Sequence, residues 1–267
     1  MNHGQAAAAT LTRLRERAPL VHNITNYVSM DVAANALLAL GASPVMAHAV
    51  EEVRDFVDIA GALVINIGTL SRDWVAAMLL AADAAAERGL PWALDPVGVG
   101  ATPYRNAVAR DLVARRPRVV RGNASEIMAL AGLAVRTKGV DSTYGADEAR
   151  DAARALAESA GCTVAVTGKI DYVTDGRRSL TVGNGHALMT RVTALGCTAT
   201  SIVGACLAVS DDPMAAAAHA LAIVGVCGEK GAEGDPGPGT FRVRFMDALY
   251  QLDGAGLERA ARVDDAV

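Results

Sequence analysis

Aromatic residues are scarce in this chain of 267 residues: they make up 4% of it, although 52% of the residues are hydrophobic. The core is therefore expected to consist mainly of alanine, valine, leucine and isoleucine. Uninterrupted apolar runs of about 18 residues are also lacking, which argues against a membrane-spanning helix. Residues 1–19 show no cationic start followed by an apolar run, so we predict a short amphipathic helix there and not a signal peptide.

A surplus of positive charge is also lacking. The chain has 25 lysines and arginines against 29 aspartates and glutamates, a net charge of −4, which argues against nucleic acid or an anionic membrane as a partner. The cysteines, Cys162, Cys197, Cys206 and Cys227, show no C-x-x-C spacing, which predicts neither a disulfide framework nor a zinc site. This pattern suits a reducing compartment, and we expect a cytoplasmic protein.

Short β-rich runs alternate with longer helical stretches through the first part of the chain. This alternation predicts βαβ units with right-handed crossovers and a largely parallel sheet covered on both faces. The strands are expected at Ser43–Ala47, Ala62–Ile67, Pro91–Leu94, Arg118–Arg121 and Thr163–Val166.

The intervening helices are marked by serine before the first turn or glycine after the last one. They are expected at Asn26–Leu40, Val50–Ile59, Ser71–Arg88, Tyr104–Ala114, Ser125–Ala131 and Asp147–Ser159.

After Thr167 the pattern changes. The Asp175-Gly176 pair predicts a hairpin between strands Asp171–Thr174 and Ser179–Val182. We further expect a short strand near Leu188–Arg191, helices at Cys197–Ser210, Pro213–Gly231 and Phe241–Asp253, and a frayed tail from Gly254. No linker or internal repeat is evident, so a single domain over residues 1–267 is predicted.

Polar and small residues gather where the parallel strands are expected to end. In an open parallel sheet, ligands bind beyond these carboxyl ends, so the residues there predict the site. They are Met46, His48, Asn66, Gly68, Asp95, Arg121, Asn123, Thr167 and Gly168.

The stretch from Thr193 to Cys206 is the most informative part of the chain. It reads TALGCTATSIVGAC, a glycine-bearing loop that runs into an apolar helix. The first amides of such a helix are unpaired donors at its positive end, which suits an anion such as a phosphoryl group. Gly196 allows close approach to the backbone, and the helix end is expected to lower the pKa of Cys197. The alternative is an ordinary packed turn.

Two carboxylates are expected to face one crevice. Asp95 ends an apolar strand before a glycine-bearing loop, which suits a metal ion or a phosphate, and Glu126 lies one helical turn after Asn123. Such a pair suits Mg²⁺ with retained waters, and Arg121 adds a fork for phosphate oxygens. The alternatives are that Asp95 caps a tight turn and that Glu126 returns to the Asn123 amide as a helix cap.

Two further segments leave two interpretations open. Thr167 ends a strand in a manner that suits a nucleotide, but a plain entry into the hairpin explains it equally well. Asn26 either caps the following helix or, with Val28 and Met46, contacts a small heteroaromatic substrate.

In combination, order and spacing, five segments resemble the hydroxyethylthiazole kinases, thiamine-salvage enzymes of the ribokinase-like superfamily. The resemblance covers about residues 10–250. The segments are HNITNYV from His22, INIGT from Ile65, LDPVGVGA from Leu94, NASE from Asn123 and Gly196-Cys197.

The resemblance implies a ribokinase-like three-layer α/β/α fold with a mainly parallel central sheet, an antiparallel edge and no separate lid domain. It implies ATP-dependent phosphorylation of the hydroxyl of 4-methyl-5-(2-hydroxyethyl)thiazole in thiamine biosynthesis and salvage. It also implies Mg²⁺ and a homotrimer with active sites between subunits.

Site roles carried over by the resemblance fall on ten positions. The resemblance assigns substrate binding to Asn26, Val28, Met46 and Ala194, and ATP binding to Arg121 and Thr167. It assigns metal binding to Asp95 and Glu126, and catalysis to Gly196 and Cys197. Most ribokinase-like relatives have a proton-accepting aspartate at the position of Cys197.

One departure from the family pattern concerns the loop before the apolar helix that starts at Cys197. The usual Gly-Thr-Gly-Cys is Ala194-Leu195-Gly196-Cys197 here. If position 194 contacts substrate through its backbone, alanine keeps that contact; if it needs a positive φ, alanine adds strain of about 1 kcal/mol. The resemblance therefore defines the reaction type better than the substrate preference.

Two other functions are alternatives to the kinase. A nucleotide-dependent hydrate dehydratase of the same superfamily, which is a lyase, would typically have an aspartate in the glycine loop, and Cys197 argues against it. A non-catalytic thiazole or nucleotide sensor is suggested only by the altered loop, and the intact Asp95, Glu126 and Arg121 argue against that.

Overall fold

Nine strands form one sheet in the computed structural model of the chain, which describes residues 2–132 and 146–266. Its order is β2-β1-β3-β4-β5-β6-β7-β8-β9, parallel from β2 to β6 and antiparallel from β6 to β9. The strands are β1 Leu20–Ile24, β2 Ser43–Val45, β3 Ala62–Asn66, β4 Trp92–Asp95, β5 Val119–Asn123, β6 Thr163–Thr167, β7 Asp171–Thr174, β8 Ser179–Val182 and β9 Val263–Asp265.

Helices cover both faces of this sheet. Helices α1, α2, α8, α9, α10 and α11 share one hydrophobic core, and α3 to α7 share the other. Their bounds are α1 His3–Arg17, α2 Met30–Leu40, α3 Val53–Ile59, α4 Arg72–Arg88, α5 Pro103–Val113, α6 Ala124–Leu130, α7 Ala146–Ala160, α8 Leu195–Leu207, α9 Pro213–Gly231, α10 Pro238–Gln251 and α11 Gly254–Ala260. Within the described ranges, no helix is both long and apolar enough to cross a bilayer.

Successive side chains along the central strands point to opposite faces of the sheet and so enter different hydrophobic cores. In β3, Val64 packs into the core that holds α8, whereas Leu63 and Ile65 pack into the other. Gly204 of α8 faces Val64 so closely that a Cβ there would clash with it. This glycine therefore lets α8 lie close on the sheet.

Most of the predicted elements are confirmed, including the Asp171–Val182 hairpin and the amphipathic N-terminal helix. The helix expected from Asn26 begins at Met30 instead. The reason is that the Asn26 side-chain oxygen accepts hydrogen bonds from the amides of Val28 and Ser29, which holds residues 26–29 in a turn.

One strand was missed, and two expectations about elements are wrong. Strand β1 was not predicted, because His22 and Asn23 make it look polar. Both are buried: His22 Nε2 is hydrogen-bonded to the Ala47 carbonyl, and Asn23 Oδ1 accepts from the Ser201 hydroxyl. Residues 187–191 form a 3₁₀ helix, not a strand. The tail beyond residue 253 forms α11 and β9 and is not frayed, since the fully buried Leu257 anchors it.

Candidate active site

The N-terminus of α8 presents unpaired backbone amides at the carboxyl edge of the sheet. Among residues 2–132 and 146–266, no side chain caps this helix, and its first backbone bond runs from the Thr198 amide to the Ala194 carbonyl at 2.8 Å. The amides of residues 195–197 are those that a helix leaves unpaired at its start, where the dipole is positive. This end of α8 is therefore suited to an anion.

Ala194 has φ 69°, in the left-handed region. An alanine there is strained, since its Cβ crowds the following carbonyl by an amount worth roughly 1–2 kcal/mol. Of the two alternatives left open by the sequence, the loop does require a positive φ at this position.

Arg121 and Thr167, on neighbouring strands β5 and β6, form a pair beside α8. The Nη2 of Arg121 donates to the Thr167 hydroxyl at 2.7 Å. A Cβ at position 196 would lie 3.1 Å from Nη1 of Arg121, so glycine allows the guanidinium to approach the helix start. The fold thus brings together both residues expected to bind ATP and the glycine expected to act in catalysis.

Asp95 lies fully buried at the end of β4. Its Oδ2 accepts hydrogen bonds from Asn66 and from Thr200 of α8, each at 2.8 Å, and is 3.9 Å from Nη1 of Arg121. Burial raises the pKa of the Asp95 carboxyl from 3.8 to about 6, although the Arg121 guanidinium opposes the rise. Its Oδ1 is buried without a hydrogen-bond partner in the described structure.

Asn26 connects this network to Cys197. Its Nδ2 donates to the Asn66 side chain at 2.8 Å and to the Cys197 sulfur at 3.4 Å. Its Oδ1 caps the turn at residues 26–29 that precedes α2, and contact between Asn26 and a substrate stays a prediction. Gly68 is packed against Asn26, since a Cβ there would lie 2.6 Å from Nδ2.

The surroundings of Cys197 favour its neutral thiol form over the thiolate. Burial, followed by the charge of Asp95, raises the pKa of the thiol, against the opposing effects of Asn26, Asn66 and Arg121. The prediction that the helix end lowers this pKa is wrong, because desolvation of the thiolate outweighs the favourable contacts.

Glu126 is engaged by backbone amides on both of its oxygens. Oε2 accepts from the Asn123 amide and Oε1 from the Gly98 amide, each at 2.9 Å. The Asn123 side chain in turn accepts from the Glu126 amide, which completes a capping box. The capping arrangement raised as an alternative is therefore present.

The glycine-bearing loop after Asp95 is closed on itself. The amides of residues 98–101 donate in turn to Glu126, the Pro96 carbonyl, Asn106 and the Gly98 carbonyl. Gly98 and Gly100 have φ 71° and 93°, so this turn needs glycine for its backbone conformation. These four amides are therefore occupied, in contrast to those at the start of α8.

The segments expected to bind the substrate lie beside this network. Val28 follows Asn26 and is 54% exposed, and Met46 follows β2 and is half-buried. Tyr27 packs on Trp74 at a ring-centroid distance of 4.7 Å, and His48 contacts the same ring at 4.6 Å. This aromatic group was not anticipated, because its members are separated in the sequence.

Sequence reasoning missed two further residues. Thr200 was part of the quoted loop-helix stretch, but only the docking of α8 on the sheet shows that it donates to Asp95. Asp171 is buried and accepts from the Gly168 amide at 2.9 Å; burial raises its pKa to about 6. A carboxylate that opens a hairpin strand was the available signal for Asp171.

Solved structures place the fold in the ribokinase-like class. A pyridoxal kinase from Staphylococcus aureus in complex with ADP has a TM-score of 0.66 and 14% identity over 93% of this chain and 99% of its own. At that identity the likeness concerns the fold alone, and the three-layer α/β/α prediction is confirmed.

The chain belongs to the hydroxyethylthiazole kinase family. The model of that family matches residues 11–255. The hydroxyethylthiazole kinase of Granulibacter bethesdensis is 55% identical over 94% of this chain and 92% of its own. A hydroxyethylthiazole kinase structure from Pyrococcus horikoshii OT3 has a TM-score of 0.91 and 45% identity, covering 98% of this chain and 99% of its own.

Proposed function

We propose that this protein transfers the terminal phosphoryl group of ATP to the hydroxyl of 4-methyl-5-(2-hydroxyethyl)thiazole, in the cytoplasm, as a step of thiamine biosynthesis or salvage. Residues 1–267 would act as one kinase domain, and the single sheet is consistent with this. Membership of the hydroxyethylthiazole kinase family supports the substrate.

One observation carries the proposal: the uncapped start of α8 and the Arg121–Thr167 pair face the same point. Phosphoryl transfer depends mainly on positioning and on stabilising negative charge. The amides of Gly196 and Cys197 and the Arg121 guanidinium supply both. Arg121 and Thr167 would hold the nucleotide, and the α8 amides would stabilise the phosphoryl group during transfer.

The carboxylates fit a Mg²⁺ ion on one side of this point. The unpartnered Oδ1 of Asp95 is a buried anionic oxygen, which suits a cation. Glu126 keeps a second lone pair on each oxygen, and these could accept hydrogen bonds from metal-bound water. Among the described residues, no three histidine, cysteine, aspartate or glutamate side chains are grouped so that they could hold a metal ion, so the site would rely on ATP and water for the remaining ligands. When bound, Mg²⁺ would neutralise charge on the phosphate oxygens.

The thiazole would lie between Asn26, Val28, Met46 and the backbone of Ala194. Val28 and its neighbour Tyr27 are 54% and 72% exposed, so the pocket is open on that side. An adjoining subunit would close it, which supports a homotrimer with shared sites. Light scattering on the purified protein tests this assembly, with a trimer mass expected.

The proton of the alcohol needs no strong base at this site. A thiol with a raised pKa is a poor base at neutral pH, and a loose transition state demands little deprotonation before transfer. Cys197 would therefore position the substrate hydroxyl beside Asn26, while the backbone amides at the start of α8 would stabilise the negative charge on the phosphoryl group.

A coupled ADP-release assay over hydroxyethylthiazole, hydroxymethylpyrimidine and pyridoxal tests the function. We expect turnover with Mg-ATP and a clear preference for the thiazole. A preference for either of the other alcohols would overturn the assigned substrate. The lyase and sensor alternatives both require that no ATP be consumed with the thiazole.

A further inference from the structure

Arg105 makes an unusual set of contacts near the start of α5. Its Nη1 donates to the carbonyls of Ile67 and Val97 at 2.5 and 2.8 Å, and its Nη2 donates to the Gly68 carbonyl at 2.8 Å. The side chain is half-buried, and it takes part in none of the ion pairs among the described residues. One guanidinium therefore serves three backbone oxygens on two loops.

These two loops leave the sheet directly after the residues of the site. Ile67 and Gly68 follow Asn66 at the end of β3, and Val97 lies two residues beyond Asp95 at the end of β4. The ends of the two strands are also joined by the Asn66–Asp95 hydrogen bond of 2.8 Å. Arg105 thus connects the same two chain segments a second time, from outside the sheet.

The contacts of the neighbouring amides extend this connection into the site. The Gly68 amide donates to the Asn66 side-chain oxygen at 2.9 Å, the same oxygen that accepts from Asn26. The orientation of Asn66 therefore depends on where the loop after β3 lies, and Arg105 fixes that loop through the Gly68 carbonyl.

The loop after β4 is held from two sides. Gly98, at φ 71°, packs against the Arg105 side chain: a Cβ on Gly98 would lie 3.5 Å from Cδ of Arg105. The Gly98 amide donates to Glu126 on the other side. Arg105 and Glu126 together leave little freedom for the segment that follows Asp95.

We propose that Arg105 is a positioning residue for phosphoryl transfer: it holds the ends of β3 and β4 together so that Asn66 and Asp95 stay aligned beside Cys197. This inference rests on the proposed kinase function. A planar guanidinium with five donors reaches several acceptors in a fixed geometry, which a lysine ammonium does not reproduce.

The test compares Arg105→Met and Arg105→Lys with Arg110→Met, in the full-length protein with hydroxyethylthiazole and Mg-ATP. Arg110 lies on the same helix, is exposed and makes no side-chain hydrogen bond in the described structure, which makes it a matched control. We expect Arg105→Met to lower kcat about 100-fold, the effect typical of a misplacement near 1 Å. Both KM values should change little, because alignment is lost mainly in the transition state.

Three readouts separate alignment from general stability. The kcat of Arg105→Lys should lie between those of the parent and Arg105→Met, and the kcat of Arg110→Met should equal that of the parent. In Arg105→Ala, guanidinium ion at millimolar concentration should restore part of the lost kcat. Circular dichroism should show that the folded fraction of each assayed variant equals that of the parent.

Several results would overturn the inference. A kcat for Arg105→Met close to the parent value would do so, and so would a raised KM for ATP at unchanged kcat, which would make Arg105 a nucleotide-binding residue. Loss of kcat that follows loss of folded protein, without guanidinium rescue, would leave only a structural role.

The parent enzyme tests the kinase function separately, since its turnover does not depend on any Arg105 variant. If the parent does not phosphorylate the thiazole, a crystal structure of Arg105→Met decides the inference. A broken Asn66–Asp95 hydrogen bond supports it, and an unchanged one contradicts it.

Discussion

The strained Ala194 offers a sharp test of how the α8 loop is built. Its φ of 69° places an alanine where glycine is normally found. Relief of left-handed strain in Ala194→Gly should contribute about 1–2 kcal/mol. The larger entropy of glycine in the unfolded chain offsets about 0.4–1 kcal/mol of this. The expected net gain in the free energy of unfolding is therefore about 0.5–1 kcal/mol.

Urea unfolding at a fixed protein concentration measures this gain against two matched controls. Ala18→Gly has the same kind of backbone, at φ 40°, and should also stabilise, although it lies at the far end of α1. Ala114→Gly, at φ −59°, should destabilise by about 0.5–1 kcal/mol. If Ala194→Gly destabilises as Ala114→Gly does, the account of strain in this loop is refuted.

The same variant has a kinetic consequence that Ala18→Gly lacks. Relaxation of the loop should lower the KM for the thiazole modestly and leave ATP binding unchanged, because position 194 lies on the substrate side. A higher thiazole KM, or a change confined to ATP, would show that the loop has been re-optimised around alanine.

Three further predictions concern groups around the site. Cys197→Ala should keep measurable turnover, since a positioning thiol forms no covalent intermediate and even the loss of a general base typically costs only about 10²–10⁴-fold. Cys197→Asp should be at least as active as the parent, because a carboxylate can both position the hydroxyl and accept its proton. An inactive Cys197→Asp beside a fully active Cys197→Ala would reduce the residue to a packing role. Glu126→Gln should lower kcat by several orders of magnitude while circular dichroism shows a folded protein, because it removes a negative charge that would face the Mg²⁺ ion. Near-normal turnover would exclude a role for Glu126 in holding the metal. Asp171→Asn should stabilise the protein at pH 7.5 but not at pH 3.5. Burial raises the pKa of the Asp171 carboxyl from 3.8 to about 6, so the parent's free energy of unfolding falls by roughly 3 kcal/mol as the pH rises through this window. Parallel curves of unfolding free energy against pH for parent and variant would contradict the raised pKa.

The sequence predicted the parts of the fold that follow from local patterns. The helix from Arg72 to Arg88 is an example, because Ser71 and Gly89 mark its two ends. Strand β1 was missed for a physical reason: the partners of His22 and Asn23, which make burial of these residues tolerable, come from distant segments. The tail was missed because α11 depends on packing against α1.

The candidate site shows the same limit. Arg121 and Thr167 were predicted together because they lie at the ends of neighbouring parallel strands. The register of β5 and β6 sets Thr167 opposite Asn123, and the Arg121 side chain reaches it diagonally, from two residues earlier on β5. Thr200 and Arg105 act through contacts that only the tertiary structure creates. Position 194 was identified from the resemblance, but the positive φ there required the structure.

Direct detection of the product tests the central claim, that the α8 N-terminus and Arg121 together promote phosphoryl transfer to the thiazole alcohol. Phosphorus NMR of the protein with Mg-ATP and hydroxyethylthiazole should show one thiazole phosphate ester formed for each ADP. Arg121→Met should lower the rate of ester formation by at least about 100-fold, the effect typical of losing a charge-stabilising donor. ADP without the ester, or ester formation at the parent rate in Arg121→Met, would contradict the account.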